Sequence, residues 1–154
     1  MLPTSMLASI QASEEFSTAD NLLTKCIREY TSVMDALSQL PHHTIDTTRP
    51  WGGFEQFTLN EPTTVKILTV RAGEAFSKQT HAQRDEFWRI LSGNGSITVG
   101  DTEHTAHAGD SYFIKRGTIH RAQGGSEDLQ ILEIAFGTFD EGDITRLADN
   151  YGRV

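Results

Sequence analysis

The chain has a single cysteine, Cys26, among 154 residues. One thiol cannot form an internal disulfide, so a stapled secreted framework is excluded and a reducing compartment fits. Basic side chains are also scarce: 13 Lys and Arg stand against 21 Asp and Glu, for a net charge of −8. A duplex-binding surface needs a basic footprint, and an anionic membrane surface attracts polybasic segments. Neither nucleic acid nor a membrane is therefore an expected partner. A small anionic ligand stays open, because a pocket can be basic on an acidic protein. No apolar run approaches the roughly 20 residues that a membrane helix needs. No Lys or Arg precedes Lys25, whereas a secretory signal begins with charge. The chain reads as soluble and cytoplasmic.

What is present is ordinary for a globular domain. The AVILMFWYC residues make up 37% and 13 glycines bring the apolar share to about 45%, which argues against disorder, collagen and coiled coil. The length suits one domain, and such a chain buries about two-thirds of its unfolded surface.

Two unlike segments meet near Pro41, giving an N-terminal helical segment (1–45) and a barrel domain (46–154). Leu22, Leu23, Cys26, Ile27, Tyr30, Val33, Met34, Leu37 and Leu40 recur at three- and four-residue steps, the pattern of one helix face. Pro41 ends it. The stripe is expected to pack on the rest of the domain or on a second copy in a homodimer. Cys26 within it reads as a small buried apolar residue.

Beyond Arg49-Pro50-Trp51-Gly52-Gly53 the chain reads as short strands: 54–59, 64–70, 76–79, 86–91, 96–99, 102–106, 111–114, 120–123 and 129–136. The separators are turn chemistry, such as Ser92-Gly93-Asn94-Gly95, Gly100-Asp101 and Gly124-Gly125. Short strands at such spacing form a sandwich or a barrel.

Within this rhythm, Gln79 and His81 are two residues apart, so in a strand they face the same side. A turn through Ala82–Asp85 brings Glu86 back on the next strand. His120, after the loop Lys115–Gly117, can lie opposite. Gln79, His81, Glu86 and His120 thus form a set of imidazole, carboxylate and amide donors that suits one divalent ion of borderline hardness. Trp88 and Ile90 share the parity of Glu86 and should face the interior, with Phe87, Arg89 and Leu91 facing out. An inward Lys66 on its apolar strand would be costly unless paired or used. Lys115 and Arg116 read either as a solvated loop or as an anion-attracting rim above the metal. His42, His43, His104 and His107 lack such partners and read as surface residues.

The stretch Gly73, Gln79, His81, Glu86, Gly93 resembles the first motif of the cupin superfamily, with Gln79 at its first His. Gly109, Lys115, Gly117, His120 and Gly124 resemble the second, with Lys115 at its Pro and Gly124 at its Asn. Arg49-Pro50-Trp51-Gly52, Glu86-Phe87-Trp88 and the run Gly142 to Arg153 narrow the likeness to type II phosphomannose isomerase cupins. That domain is usually the C-terminal part of a bifunctional enzyme with mannose-1-phosphate guanylyltransferase. Nothing N-terminal here offers a Gly-rich phosphate loop, so the guanylyltransferase half is expected to be missing. The resemblance covers Arg49 to Arg153.

The resemblance implies an all-β fold, a cupin double-stranded β-helix or jelly-roll barrel with an N-terminal α-helix. It implies one divalent metal (Zn, Mn, Co, Ni or Fe) and a sugar-phosphate substrate. The activity implied is interconversion of mannose 6-phosphate and fructose 6-phosphate or a relative. Through it, Lys66 falls near the pocket as an acid/base group, with a metal-bound hydroxide as the alternative. Arg146, Tyr151 and Arg153 fall in the terminal motif, where they hold the tail over the barrel mouth or grip a phosphate; Arg146, Arg153 or Lys115-Arg116 could meet it. The family's further histidines are replaced by Ala82 and Gln83, and its Lys-Arg pair becomes Lys66-Ile67. These departures favour the rival reading, a metal cupin that binds a sugar or sugar nucleotide without turnover. A non-haem iron oxygenase is weaker, because the Gln79 amide would fill a position such sites keep open.

Overall fold

The computed structural model describes residues 23, 24, 27 and 34–153. Among the described residues eleven strands follow one another: β1 (Thr44–Arg49), β2 (Gly52–Gln56), β3 (Thr63–Val70), β4 (Lys78–His81), β5 (Arg84–Ser92), β6 (Asn94–Val99), β7 (Thr102–His107), β8 (Ser111–Ile114), β9 (His120–Gly124), β10 (Leu129–Gly137) and β11 (Ile144–Ala148). Two antiparallel sheets make the barrel, in the orders β3-β10-β5-β8 and β11-β4-β9-β6-β7, and β1 and β2 form a hairpin apart from them. The barrel strands agree with those expected from turn chemistry to within a few residues. β1 and β11 were not expected: neither TIDTTR nor ITRLA alternates apolar with polar in a way that marks a half-buried strand.

Side-chain alternation builds two cores. Trp88, Ile90, Ile114, Ile97, Ala122, Leu129 and Ile131 fill the space between the sheets. The opposite parity of the first sheet, Phe87 and Ile134 with Phe113, Leu132 and Phe136, faces outward and is covered by Ala36, Leu37, Leu40 and Phe57. Phe87 thus points away from the barrel, as expected, and is still fully buried.

The helical stripe is only partly the buried face its period suggests. Residues 34–38 are helical and Ala36, Leu37 and Leu40 are buried, but Leu23 is 61% and Ile27 57% exposed. Periodicity identifies an apolar face but not how far along it a neighbour reaches. Cys26, Leu22, Tyr30 and Val33 lie outside the described residues. Among the described residues no helix is long and apolar enough to cross a membrane.

Two glycines show why the barrel turns need them. Gly93 has φ of +81°, and a Cβ there would run into the carbonyl of Asp128. Gly117 has φ of +79° in open space, so its constraint is conformational alone. Its N–H donates to the His81 carbonyl at 2.6 Å, tying the loop before His120 to the end of β4.

Candidate metal centre

The site follows from strand register. Gln79 on β4 stands opposite His120 on β9. On the other side of β4, Ile144 and Arg146 of β11 pair with His81 and Gln79. Glu86 on β5 has the barrel-facing parity of Trp88 and Ile90. Potential ligand atoms of His81, Glu86 and His120 all lie within 4.8 Å of one another, and all three residues are buried. His81 Nε2 is 3.1 Å from Glu86 Oε1, and His120 Nε2 is 3.6 Å from Glu86 Oε2. The Gln79 amide nitrogen lies 3.5 Å from His81 Nε2, while its oxygen accepts from Ser77. The four residues expected to act together are thus brought together.

Hydrogen bonding tests whether a cation fits there. His120 Nδ1 is 2.9 Å from the Thr118 carbonyl. A carbonyl only accepts, so Nδ1 carries the proton and Nε2 presents its lone pair inward. That Nε2 and Glu86 Oε2 are both buried with no hydrogen-bond partner. A converging imidazole lone pair and carboxylate oxygen without a donor suit a metal ion. On the other flank the donor is a side chain: Arg84 gives one N–H to Glu86 Oε1 at 2.9 Å and approaches His81 Nε2 at 3.1 Å.

The titration of these groups follows their surroundings. Burial pushes the Glu86 carboxyl up, but the His81 hydrogen bond, the charges of His120 and His81 and the Arg84 hydrogen bond outweigh it, holding it at about 2. Burial lowers His120 despite the Glu86 carboxylate, which favours the neutral ligating form.

A cavity of about 200 Å³ opens beside the centre. Lys66, Gln79, Arg84, Glu86, Glu133, Glu141, Arg146 and Arg153 supply its polar lining. Lys66 faces inward, as the cost of an inward lysine required: its ammonium is 2.9 Å from Glu141 and 3.6 Å from the centre of the Phe139 ring. Arg146 reaches the cavity with a buried Nε that has no partner. Arg153 also lines it, held by Asp149 at 2.7 Å and stacked 5.1 Å from the Tyr151 ring.

The other expected residues lie elsewhere. The Tyr151 hydroxyl donates to Glu74 at 2.6 Å, which fastens the tail to the loop before β4. Arg116 is not on the rim of this cavity but clasps Asp85 through its backbone and guanidinium. Lys115 lines a separate cavity with Asp35, His104 and Tyr112. His42 and His107 are exposed and His104 is half-buried. His43 departs from the surface reading, being largely buried and 3.0 Å from Glu55.

Three residues of the site escaped the sequence. The spacing puts Arg84 in a turn Ala82–Asp85 after His81, but the turn is only Ala82-Gln83 and β5 begins at Arg84, giving it the inward parity of Glu86. Asp143 closes that turn by accepting the Ala82 and Gln83 N–H groups, and no local signal announces it. Glu133 shares the parity of Leu129 and Ile131 on β10, so its inward direction was readable. It stands opposite Lys66 and Trp88. Burial and the Glu86 carboxylate, opposed by Lys66 and Arg84, push its carboxyl up to about 7.

Comparison with known proteins places this geometry in context. The sequence matches the family described as mannose-6-phosphate isomerase C-terminal over residues 37–149. It is 28% identical over 151 residues to the mannose-1-phosphate guanylyltransferase ManC of Salmonella typhimurium, covering 96% of this chain and 32% of that protein. A mannose-1-phosphate guanylyltransferase of Klebsiella pneumoniae is 38% identical over 107 residues, 68% of this chain and 23% of that protein. The alginate biosynthesis protein AlgA of Pseudomonas aeruginosa is 36% identical over 107 residues, 68% of this chain and 22% of that protein. The chain therefore spans a third or less of these relatives. Among solved structures, the capsular polysaccharide assembling protein CapF of Staphylococcus aureus superposes with a TM-score of 0.52 at 18% identity, covering 68% of this chain and 34% of that one. A conserved protein with a double-stranded β-helix domain from Klebsiella pneumoniae gives a TM-score of 0.50 at 18% identity, covering 56% and 76%. The fold is the cupin double-stranded β-helix.

Proposed function

Because the chain belongs to the mannose-6-phosphate isomerase C-terminal family, we propose that its barrel mouth is the site of a metal-dependent aldose–ketose isomerase interconverting mannose 6-phosphate and fructose 6-phosphate. The observation that carries this reading is the pair of buried, partnerless acceptors, Glu86 Oε2 and His120 Nε2, beside a cavity rich in cations. His81, Glu86 and His120, with the Gln79 amide, would hold one divalent ion. Such an ion, when bound, polarises the sugar carbonyl and stabilises negative charge on its oxygen.

The chain's own residues divide the remaining work. Lys66, Arg84, Arg146 and Arg153 give the cavity four cationic side chains against the carboxylates of Glu86, Glu133 and Glu141. Two of these carboxylates are engaged within the site, Glu86 by the histidines and Arg84 and Glu141 by Lys66. Arg146, whose buried Nε has no hydrogen-bond partner, is the cation that favours an anionic ligand despite the chain's net charge of −8. Arg146 and Arg153, nearest the tail, suit the phosphate, because guanidinium binds phosphate oxygens in pairs. Lys66 is placed to give charge to the sugar or its phosphate. A cavity of about 200 Å³ is small beside the roughly 300–1,000 Å³ of drug-sized sites, which favours a sugar phosphate over a sugar nucleotide.

The test is direct. Metal-loaded protein should convert mannose 6-phosphate to fructose 6-phosphate and carry solvent deuterium into C1 or C2. Saturable sugar-phosphate binding without exchange, under Mn, Zn, Co, Ni, Fe and Mg with the site filled, would overturn the isomerase reading and identify a binding module.

A further inference from the structure

Isomerisation needs a group that takes a proton from one carbon and returns it to the next, and that group must line the cavity. Resting on the isomerase reading, we propose that Glu133 is this acid/base residue.

Among the described residues that line the cavity, the alternatives are already committed. Arg84, Arg146 and Arg153 are guanidinium groups, which do not give up a proton in proteins. Lys66 makes the contacts of an ammonium, with a carboxylate at 2.9 Å and an aromatic face at 3.6 Å. Glu141 is its partner and is largely exposed. Glu86 faces two histidines and Arg84. Gln79 and Ser77 are hydrogen-bonded to each other and neither is a base.

Glu133 remains. It is buried, 6% exposed, and lines the cavity beside Glu86. It does not belong to the cluster of His81, Glu86 and His120. Its Oε2 accepts the Trp88 indole N–H at 3.3 Å. Trp88 is fully buried and packs edge-on against His120 with ring centres 5.4 Å apart. One rigid side chain thus sets the carboxylate's position relative to the candidate metal centre and leaves Oε1 for a substrate proton.

The step balances without a further reactant. The Glu133 carboxylate takes the proton from C2 of the open-chain aldose. The C–H electron pair forms the C1–C2 double bond, and the carbonyl electrons move onto O1. The O2 hydroxyl proton passes to O1, the O2 electrons form the new carbonyl, and Glu133 returns its proton to C1.

The experiment uses metal-loaded protein, mannose 6-phosphate and D2O, with metal content and sugar-phosphate affinity measured alongside. Glu133→Gln should lower deuterium exchange and turnover by roughly 10²–10⁴ while metal content and affinity hold. Glu133→Ala should regain part of the exchange when formate is added, a recovery no structural role predicts. Lys66→Met should mainly raise KM. Exchange at the parent rate in Glu133→Gln, or loss of exchange in Lys66→Met at unchanged KM, would overturn the assignment while leaving the isomerase reading intact. A parent protein silent at full metal loading would remove both.

Discussion

At the scale of single residues, the candidate centre is a set of buried polar atoms whose partners differ in kind. His120 has its tautomer set by Thr118, Glu86 is bound on one side by Arg84, and the facing Glu86 Oε2 and His120 Nε2 have no donor. His81→Ala or His120→Ala should therefore lose most bound divalent ion, measured by elemental analysis of protein purified without a His-tag. Burial lowers His120 and keeps it neutral further into acid, so uptake should hold through the ordinary imidazole value of about 6.5 and weaken only at a pH below it. Glu133 has a different signature. Burial and the Glu86 carboxylate push its carboxyl up from the ordinary 4.5 to about 7, so the fold favours its protonated form. That contribution is fully present below pH 4.5 and is lost as pH rises through 7, leaving a buried charge. Glu133→Gln, which cannot ionise, should melt several degrees higher than the parent at pH 8 and close to it at pH 4.5. Gln79, His81, Glu86 and His120 were legible because their spacing alone puts them on converging strands. Arg84 was not, because one misplaced turn hides the parity of every residue inside it.

At the scale of elements, the segment around Leu37 and Leu40 covers the outer face of the first sheet at Phe87 and Ile134, whereas Val65 and Ile67 on its edge strand β3 stay exposed. Leu37→Ala removes side-chain volume from the cluster with Phe87 and Ile134 and should cost about 2–5 kcal/mol in chemical denaturation. Leu23→Asp, at a position 61% exposed, should stay within about 0.5 kcal/mol. The same periodic stripe contains both positions, so periodicity could not separate them. The strand β11 and the turn before it act differently. They add little apolar burial, yet they place Arg146 beside Gln79 and Asp143 on the β4–β5 turn. Asp143→Ala should leave the barrel folded and weaken metal binding, because Ala82 and Gln83 lose the acceptor that holds the end of β4.

At the scale of the whole molecule, an acidic chain concentrates cationic side chains at one end of its barrel, next to a buried cluster of metal-type donors. An ion that binds only the folded chain should stabilise it by mass action, by about 2.7 kcal/mol at one hundred times its Kd. A rise in melting temperature with added divalent ion, reversed by chelator and absent in His120→Ala, is the expected result. The barrel strands were readable from residues 63–136, because alternation and turn chemistry are local and each strand declares its own two faces, whereas the strand expected at 54–59 forms a hairpin apart from the barrel. The four candidate ligands were readable for the same reason. Only the tertiary structure decided which neighbour each face meets. It closed the tail strand over Gln79, committed Lys66 to Glu141, took Arg116 to Asp85 and left Glu133 in the cavity. Those contacts join residues far apart in the chain, and sequence spacing fixes direction along a strand but not the identity of what lies across the space it points into.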